Sequence, residues 1–479
     1  LKELLQKAID HALARGATYA EARFVASSYQ EVSTRNLTPQ DLSSDYSAGM
    51  GIRVLLDGAW GFACSRTMEN DAVSGAAARA VEIARASARV QREPISLDPI
   101  AATVDSFETP VERDPWQVSL GEKLDLLFAA EEQIRQGGRV SVSSGRMIFQ
   151  REHKQFVNSE GTDVTQTLVR SLGGIQAIAV ADGRAQIRSY PSNHGSGGAA
   201  GYEAVEALQL PAHGERIARE AVALLSAKPC PTGAMTVVLD GTLVALQLHE
   251  SCGHPIELDR VLGSEISHYG SSFLTVDKLD RFRYGSELVT IVTDPTLTHG
   301  LGGFAYDDEG VPAQRSTLVD HGILVNYLTS RETAPVIGKS SNGSARASGW
   351  QVPPIVRMTN LNLEAGEGAL EDLIAGVDHG IYMEVPKSWS IDDRRVNFQF
   401  GAEIGWEITG GRLGDMVQNP TYMGISPKFW NNCDGIAGPS AWHLWGLAGC
   451  GKGQPAQTVC VGHGSAPARF RDVYVGVRR

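Results

Sequence analysis

The chain has 479 residues with 42% hydrophobic and 20% charged side chains, which places it among ordinary globular proteins of about three domains and excludes a disordered or fibrous one. Lysine and arginine number 43 against 55 acidic residues, a net charge of −12, and no cationic run exceeds a pair, so a nucleic-acid-binding surface is not expected. No stretch of about 18 apolar residues could span a bilayer, and six cysteines in so long a chain are too sparse for a disulfide scaffold, so reduced thiols and a cytoplasmic setting are expected. The 52 glycines, without a three-residue period, point to many turns and a β-rich architecture.

In chain order, Leu1, Leu4, Leu5, Ala8, Ile9, Ala12 and Leu13 recur at helical spacing up to Gly16, an amphipathic opening that does not read as a secretory signal. Strands are expected at Ala20–Ser28 and in Met50–Cys64, the latter turned at Asp57-Gly58, followed by an alanine-rich helix over Ala72–Val90. A second unit opens with a helix around Val118–Gln136, continues through alternating segments from Arg139 to Tyr190 with a turn at Asp182-Gly183, and closes with a helix near Ile217–Ala227. Lys228-Pro229-Cys230-Pro231 then breaks the chain. The strand Met235–Asp240 leads through Gly241 into a helical run, Leu243–His254, and the remainder reads as short apolar runs between glycines. The expected fold is therefore α+β: domains at 1–100 and 110–227, each mixing helix and strand, then a large, mainly antiparallel β domain at 230–479 that carries the motif helix.

That helix contains His249-Glu250-Ser251-Cys252-Gly253-His254-Pro255. Hydrolytic zinc sites use this chemistry: neutral imidazoles bind the metal, and the adjacent carboxylate takes a proton from metal-bound water. Histidines four apart lie about 40° apart around a helix, but five apart they lie about 140° apart, too far for a regular α-helix to aim both at one ion. Gly253 is conformationally permissive and Pro255 has no amide for the carbonyl of Ser251, so a widened, π-like turn is expected to bring His249 and His254 together. The alternative is two unrelated histidines near a helix end.

The motif resembles the signature of the TldD/PmbA peptidases, specifically the TldD-type zinc member: His249-Glu250-x-x-x-His254-x-x-Glu257-x-Asp259. Gly197-Gly198 with Gly201-Tyr202-Glu203, Asp307-Asp308-Glu309-Gly310 before Pro312, Arg357-Met358-Thr359-Asn360 and Cys450-Gly451-Lys452-Gly453-Gln454 are similar to further blocks of that family, the last with one residue fewer. The resemblance implies zinc on His249, His254 and Cys450, Glu250 as general base, hydrolysis of unstructured peptides, and a homodimer or a heterodimer with a PmbA/TldE-like paralogue. Glu257 and Asp259 are then either partners that orient the ligands or surface charges at a helix end. Pro255 departs from the small residue expected there, and Ala441-Trp442-His443-Leu444-Trp445 is unusually aromatic. Competing readings are a thiol nucleophile at Cys252, rival ligands at His443 or His463, a nucleotide loop in Gly195–Gly201, a tailoring peptidase for one biosynthetic peptide, and a non-catalytic partner subunit.

Overall fold

In the computed structural model, which describes residues 1–266 and 269–476, the helices form where alanine and leucine recur at helical spacing and the strands where apolar residues alternate. Helix α1 (Lys2–Leu13) precedes strands β1 (Tyr19–Arg35), β2 (Thr38–Leu56) and β3 (Ala59–Ser65), and α2 (Asn70–Ala88) follows. Next come β4 (Val104–Glu108), α3 (Leu120–Gln136, capped by the Ser119 side chain), β5 (Val142–Asn158), β6 (Asp163–Ala181), β7 (Arg184–Tyr190) and β8 (Ser196–Gly198), then α4 (Glu203–Glu206) and α5 (Leu210–Leu224). The first hairpin is longer than the sequence pattern implied, because it turns at Asn36-Leu37, both at positive φ without a glycine to signal it.

All eight strands join one sheet, in the order β3-β2-β1-β5-β6-β4 with β7 and β8 also on β6. The expected first and second units thus share a sheet, joined by a long antiparallel β1–β5 ladder. Each unit keeps its own helical layer. Leu5, Ile9, Val73 and Ala80 pack on Ala20, Ala22, Ile52 and Val54; Leu127, Ile134, Ile217 and Ala221 pack on Val32, Met147, Phe149 and Ala177. Side chains alternate along a strand, so the other sheet face presents Arg23, Tyr29, Ile148, Arg170 and Leu172 toward the C-terminal part.

The C-terminal part is built on a closed ring of strands: Gly233–Leu239, His379–Ile391, Asn397–Thr409, Thr421–Ile425 and Ala468–Val475. Only the Gly233–Leu239 to His379–Ile391 step of this ring is parallel. Closure removes the free edges of a sheet. A large apolar cluster fills the ring and surrounds α6 (Gly241–Leu248), which leaves Gly233–Leu239 and is capped by Asp240. A separate hairpin, His443–Lys452 with Gln457–Ser465, closes over α6. Buried ion pairs Arg23–Asp308 and Arg53–Glu309 pin the N-terminal sheet to this part of the molecule, while the neighbouring Asp307 accepts from the Glu309, Val311 and Ala345 amides. Among the described residues no helix is long and apolar enough to cross a membrane.

Candidate metal centre

Regular α-helix ends at Leu248, and His249–Gly253 forms one π turn in which the His254 amide donates to the His249 carbonyl, 3.2 Å away. The extra residue in the turn brings both imidazoles to one side, with ring centroids 4.8 Å apart. Gly253 also lies against Met358: a Cβ there would meet the Met358 sulfur at 2.0 Å and force that side chain to move.

Cys450 reaches the same point from the hairpin. Between Leu447 and Cys450 the hairpin steps three residues on one strand against two on its partner, from Val461 to Val459. This β-bulge turns Cys450 inward, where it is fully buried. One ligand atom from each of His249, His254 and Cys450 lies within 4.8 Å of the others, and Cys450 Sγ is 3.9 Å from His254 Nε2. Bonds of 2.0–2.3 Å in a tetrahedral zinc site give a ligand–ligand edge of roughly 3.3–3.8 Å, so a small inward movement closes the set on an ion.

Hydrogen bonds fix which ring nitrogen faces the cluster. The carbonyl of Leu361 can only accept, so His463 Nδ1 donates to it (3.3 Å) and the neutral ring accepts at Nε2. His249 Nδ1 then donates to His463 Nε2 (2.8 Å), which leaves the His249 Nε2 lone pair for a metal. His254 Nδ1 donates to Glu257 Oε2 (3.1 Å), again freeing Nε2. Glu257 is thus an orienting partner of His254, and it is itself held by Lys452 and Arg260, both fully buried. Asp259 accepts from Lys452 at 2.6 Å and lies in the same buried network, not on a surface.

Electrostatics suit a soft metal. Burial alone would raise the Cys450 thiol, but Arg357, 3.1 Å from Sγ, with His249 and His254 outweighs it and holds the thiol well below its usual value. Burial pushes His254 and His463 well below the usual imidazole value, so both rings are neutral. For His249 burial acts in the same direction, yet the Cys450 charge overrides it and raises the ring, whose proton must leave when a cation binds.

The cluster lies at the floor of a cleft of about 600 Å³ between the N-terminal sheet and the C-terminal part, whose walls include Tyr29, His194, Trp389, Arg395 and Trp445. Glu250 stands on this wall. Its Oε2 pairs with Arg395, while Oε1 has no partner among the described residues. Arg395 sits in a turn in which Asp392 accepts from the Val396 and Asn397 amides. In sequence, Asp392-Asp393-Arg394-Arg395 reads only as a charged loop, and nothing in its spacing announces a cleft residue. His463 and Arg357 were visible as residues but not as partners of His249 and Cys450.

Two competing residues lie apart from the cluster, and the glycines serve strand contact. Cys252 points into the apolar core, and its thiol is pushed up to about 12 by burial. His443 is exposed, edge-on to Trp445. In the glycine run, a Cβ on Gly197 would meet the Ser171 carbonyl at 2.0 Å, so that glycine serves β8–β6 contact.

Residues 232–473 match the family model described as the PmbA/TldA metallopeptidase C-terminal domain, and residues 20–84 and 113–225 match its domain 1 and central domain. The chain belongs to the PmbA/TldD metallopeptidase family. A metalloprotease of Methanothermobacter thermautotrophicus is 32% identical over 96% of this chain and 95% of its own. One of Methanocaldococcus jannaschii is 28% identical over 94% and 95%. A Saccharolobus solfataricus protein named as a zinc metalloprotease TldD homologue is 27% identical over 51% of this chain and 52% of its own. In fold, this PmbA/TldD chain resembles TldE of Thermococcus kodakarensis, with a TM-score of 0.74 at 15% identity over 99% and 100% of the two chains.

Proposed function

We propose that this chain is a zinc-dependent peptidase acting on unstructured peptides, with His249, His254 and Cys450 as metal ligands and Glu250 as general base. The reading rests on one observation above the others: two oriented imidazole Nε2 atoms and a thiolate converge below a cleft whose wall carries a carboxylate with one oxygen unpartnered among the described residues. Two nitrogens and a thiolate form a three-ligand set that suits zinc and leaves a fourth position open. Zinc bound there supplies Lewis acidity. Glu250 Oε1 takes a proton from the attacking water and returns it to the leaving amine, while Arg395 holds Oε2 and keeps the carboxylate turned to the cleft.

Among the described residues the hairpin strand His443–Lys452 forms a ladder only with Gln457–Ser465; its Gly446 amide is held by Ser196 Oγ, and Trp445 through Gly449 line the cleft wall. Such a strand offers main-chain groups to an extended peptide, recognition that reads no side chains and favours loose specificity. Proline-rich peptides resist, since proline lacks the pairing amide. Retention of all four site residues favours the catalytic member over a partner subunit. We place the enzyme in the cytoplasm, as a homodimer or paired with a TldE-like paralogue, without nucleic-acid or membrane partners.

Digestion of a mixed peptide library, read by mass spectrometry with a chelated control, tests this. Broad cleavage abolished by chelation is expected. Cleavage at one sharply defined sequence would select the tailoring reading, and cleavage indifferent to chelation would remove the zinc mechanism.

A further inference from the structure

A second cavity, of about 200 Å³, shares Tyr29, Ile148, Ala448 and Thr458 with the walls of the catalytic cleft and so adjoins it. It reaches Val459, the strand partner of Cys450, so it begins one ladder position from the metal centre.

Its lining is unusual in charge. Arg170, Lys154 and Arg346 line it, with Arg23 behind them, and the two carboxylates Glu152 and Asp308 pair with Arg170, Lys154 and Arg23 but not with Arg346 among the described residues. Glu152 is taken by Arg170, and Asp308 by Arg23 at 3.1 Å. Lys154 has only long contacts, 3.4 Å to Asp308 and 3.8 Å to Glu152. Arg346 has no carboxylate within 4 Å among the described residues. Its one hydrogen bond there runs from Nη1 to the carbonyl of Met358, although the residue is only 7% exposed. Burial, with Arg170 and Arg357 nearby, draws Arg346 down to about 10, the direction expected of a cation that lacks a counter-charge.

Besides its bond to the Met358 carbonyl, the Arg346 guanidinium meets only the Phe304 ring, 5.5 Å from its centroid, among the described residues. A buried guanidinium without a counter-charge is costly unless an anion meets it, and its planar fork suits a carboxylate. Extended peptides carry that group at the C-terminus or on aspartate and glutamate. We propose that this cavity is a carboxylate subsite of the peptide cleft, in which Arg346, supported by Lys154 and Arg170, anchors the substrate at a fixed distance from the bond presented to the metal centre. Resting on the peptidase reading, this adds a ruler to it: backbone pairing holds any extended peptide, and the carboxylate sets which bond is cut.

The test compares one peptide as free acid and as C-terminal amide, with amidated versions carrying a single aspartate moved along the chain, all on the metal-loaded protein. A KM about 10- to 100-fold lower for the free acid, the worth of a hydrogen bond to a charged group, assigns the subsite to the C-terminus. The same gain for aspartate at one position assigns it to an acidic side chain. R346Q then removes the gain, and R346K retains part of it. Equal handling of all these peptides by the wild-type protein overturns the proposal, with no variant needed. If none is cleaved, the peptidase reading fails by itself. In that case anisotropy of the same peptides, fluorescein-labelled at the N-terminus, still decides the subsite: tighter binding of a carboxylate-bearing peptide supports it, and equal binding overturns it.

Discussion

The proposed metal centre draws its candidate ligands from two regions that solve the same problem in different secondary structure. On α6 the chain inserts one residue into a helical turn, and on the hairpin it inserts one residue into a β-ladder. Each irregularity turns a side chain that regular geometry would misdirect. The regions differ in range: His249 and His254 are set by five residues of local sequence, whereas Cys450 stands 196 residues beyond His254 and arrives only when the hairpin closes over α6. Local irregularity is written in neighbouring residues; long-range irregularity depends on the whole fold.

The largest expected effect belongs to neither region's ligands. Glu250→Gln should lower peptide turnover by about 10²–10⁴-fold, with metal content unchanged, because its assigned role is proton transfer and not coordination. Steady-state rates beside elemental analysis check this; near-normal turnover would move the base elsewhere.

Breaking the long-range region should cost the ion. Cys450→Ser replaces a thiolate held by Arg357 with a hydroxyl that stays protonated, so the variant should purify without stoichiometric zinc. Full occupancy would show that the hairpin's bulge serves packing alone.

Smaller effects should follow from the orienting partners. His463→Ala and Glu257→Gln each release one imidazole, and each should weaken metal affinity by about 10- to 100-fold as measured by chelator competition. Equal affinity to the wild type would mean that backbone placement alone aims the rings.

Acidity gives a graded version of the same test. Because the raised His249 ring takes up its proton above the usual imidazole value, zinc affinity should begin to fall above pH 6.5 as pH decreases. His254 and Cys450, both shifted well below their ordinary values, add little competition until lower pH. Zinc affinity unchanged from pH 8 to 6 would place the His249 proton elsewhere. The smallest effect is expected at Cys252: Cys252→Ala should cost about 1–2 kcal/mol of stability through a small cavity and leave turnover intact.

How much of this was legible follows the same division. The five-residue histidine spacing, with Gly253 and Pro255, implies a widened turn, and His249–Gly253 forms one. Turns at Asp57-Gly58 and Asp182-Gly183 were readable because each pairs a turn-forming side chain with glycine, while Asn36-Leu37 carries no such mark. The single sheet shared by the first two units was not readable, since the β1–β5 ladder joins residues more than a hundred positions apart. Cys450 is proposed as a ligand through the resemblance of Cys450-Gly451-Lys452 and not through spacing. Arg395 and the His463 contact have no sequence signature, and Arg357, although part of a family-like block, carries no sign of its tie to Cys450, because each acts across the closed fold. The Glu257–Lys452 pair is of the same kind: an acid and a base far apart in sequence become part of one buried network in space.

The most direct measurement of the central claim is a crystal structure of the zinc-loaded protein with anomalous data at the zinc edge. One peak is expected, about 2.0–2.1 Å from His249 Nε2 and His254 Nε2 and about 2.3 Å from Cys450 Sγ, with Glu250 beside it and uncoordinated. A peak elsewhere, or one whose ligands include His443, His463 or Glu250 in place of Cys450, would contradict it.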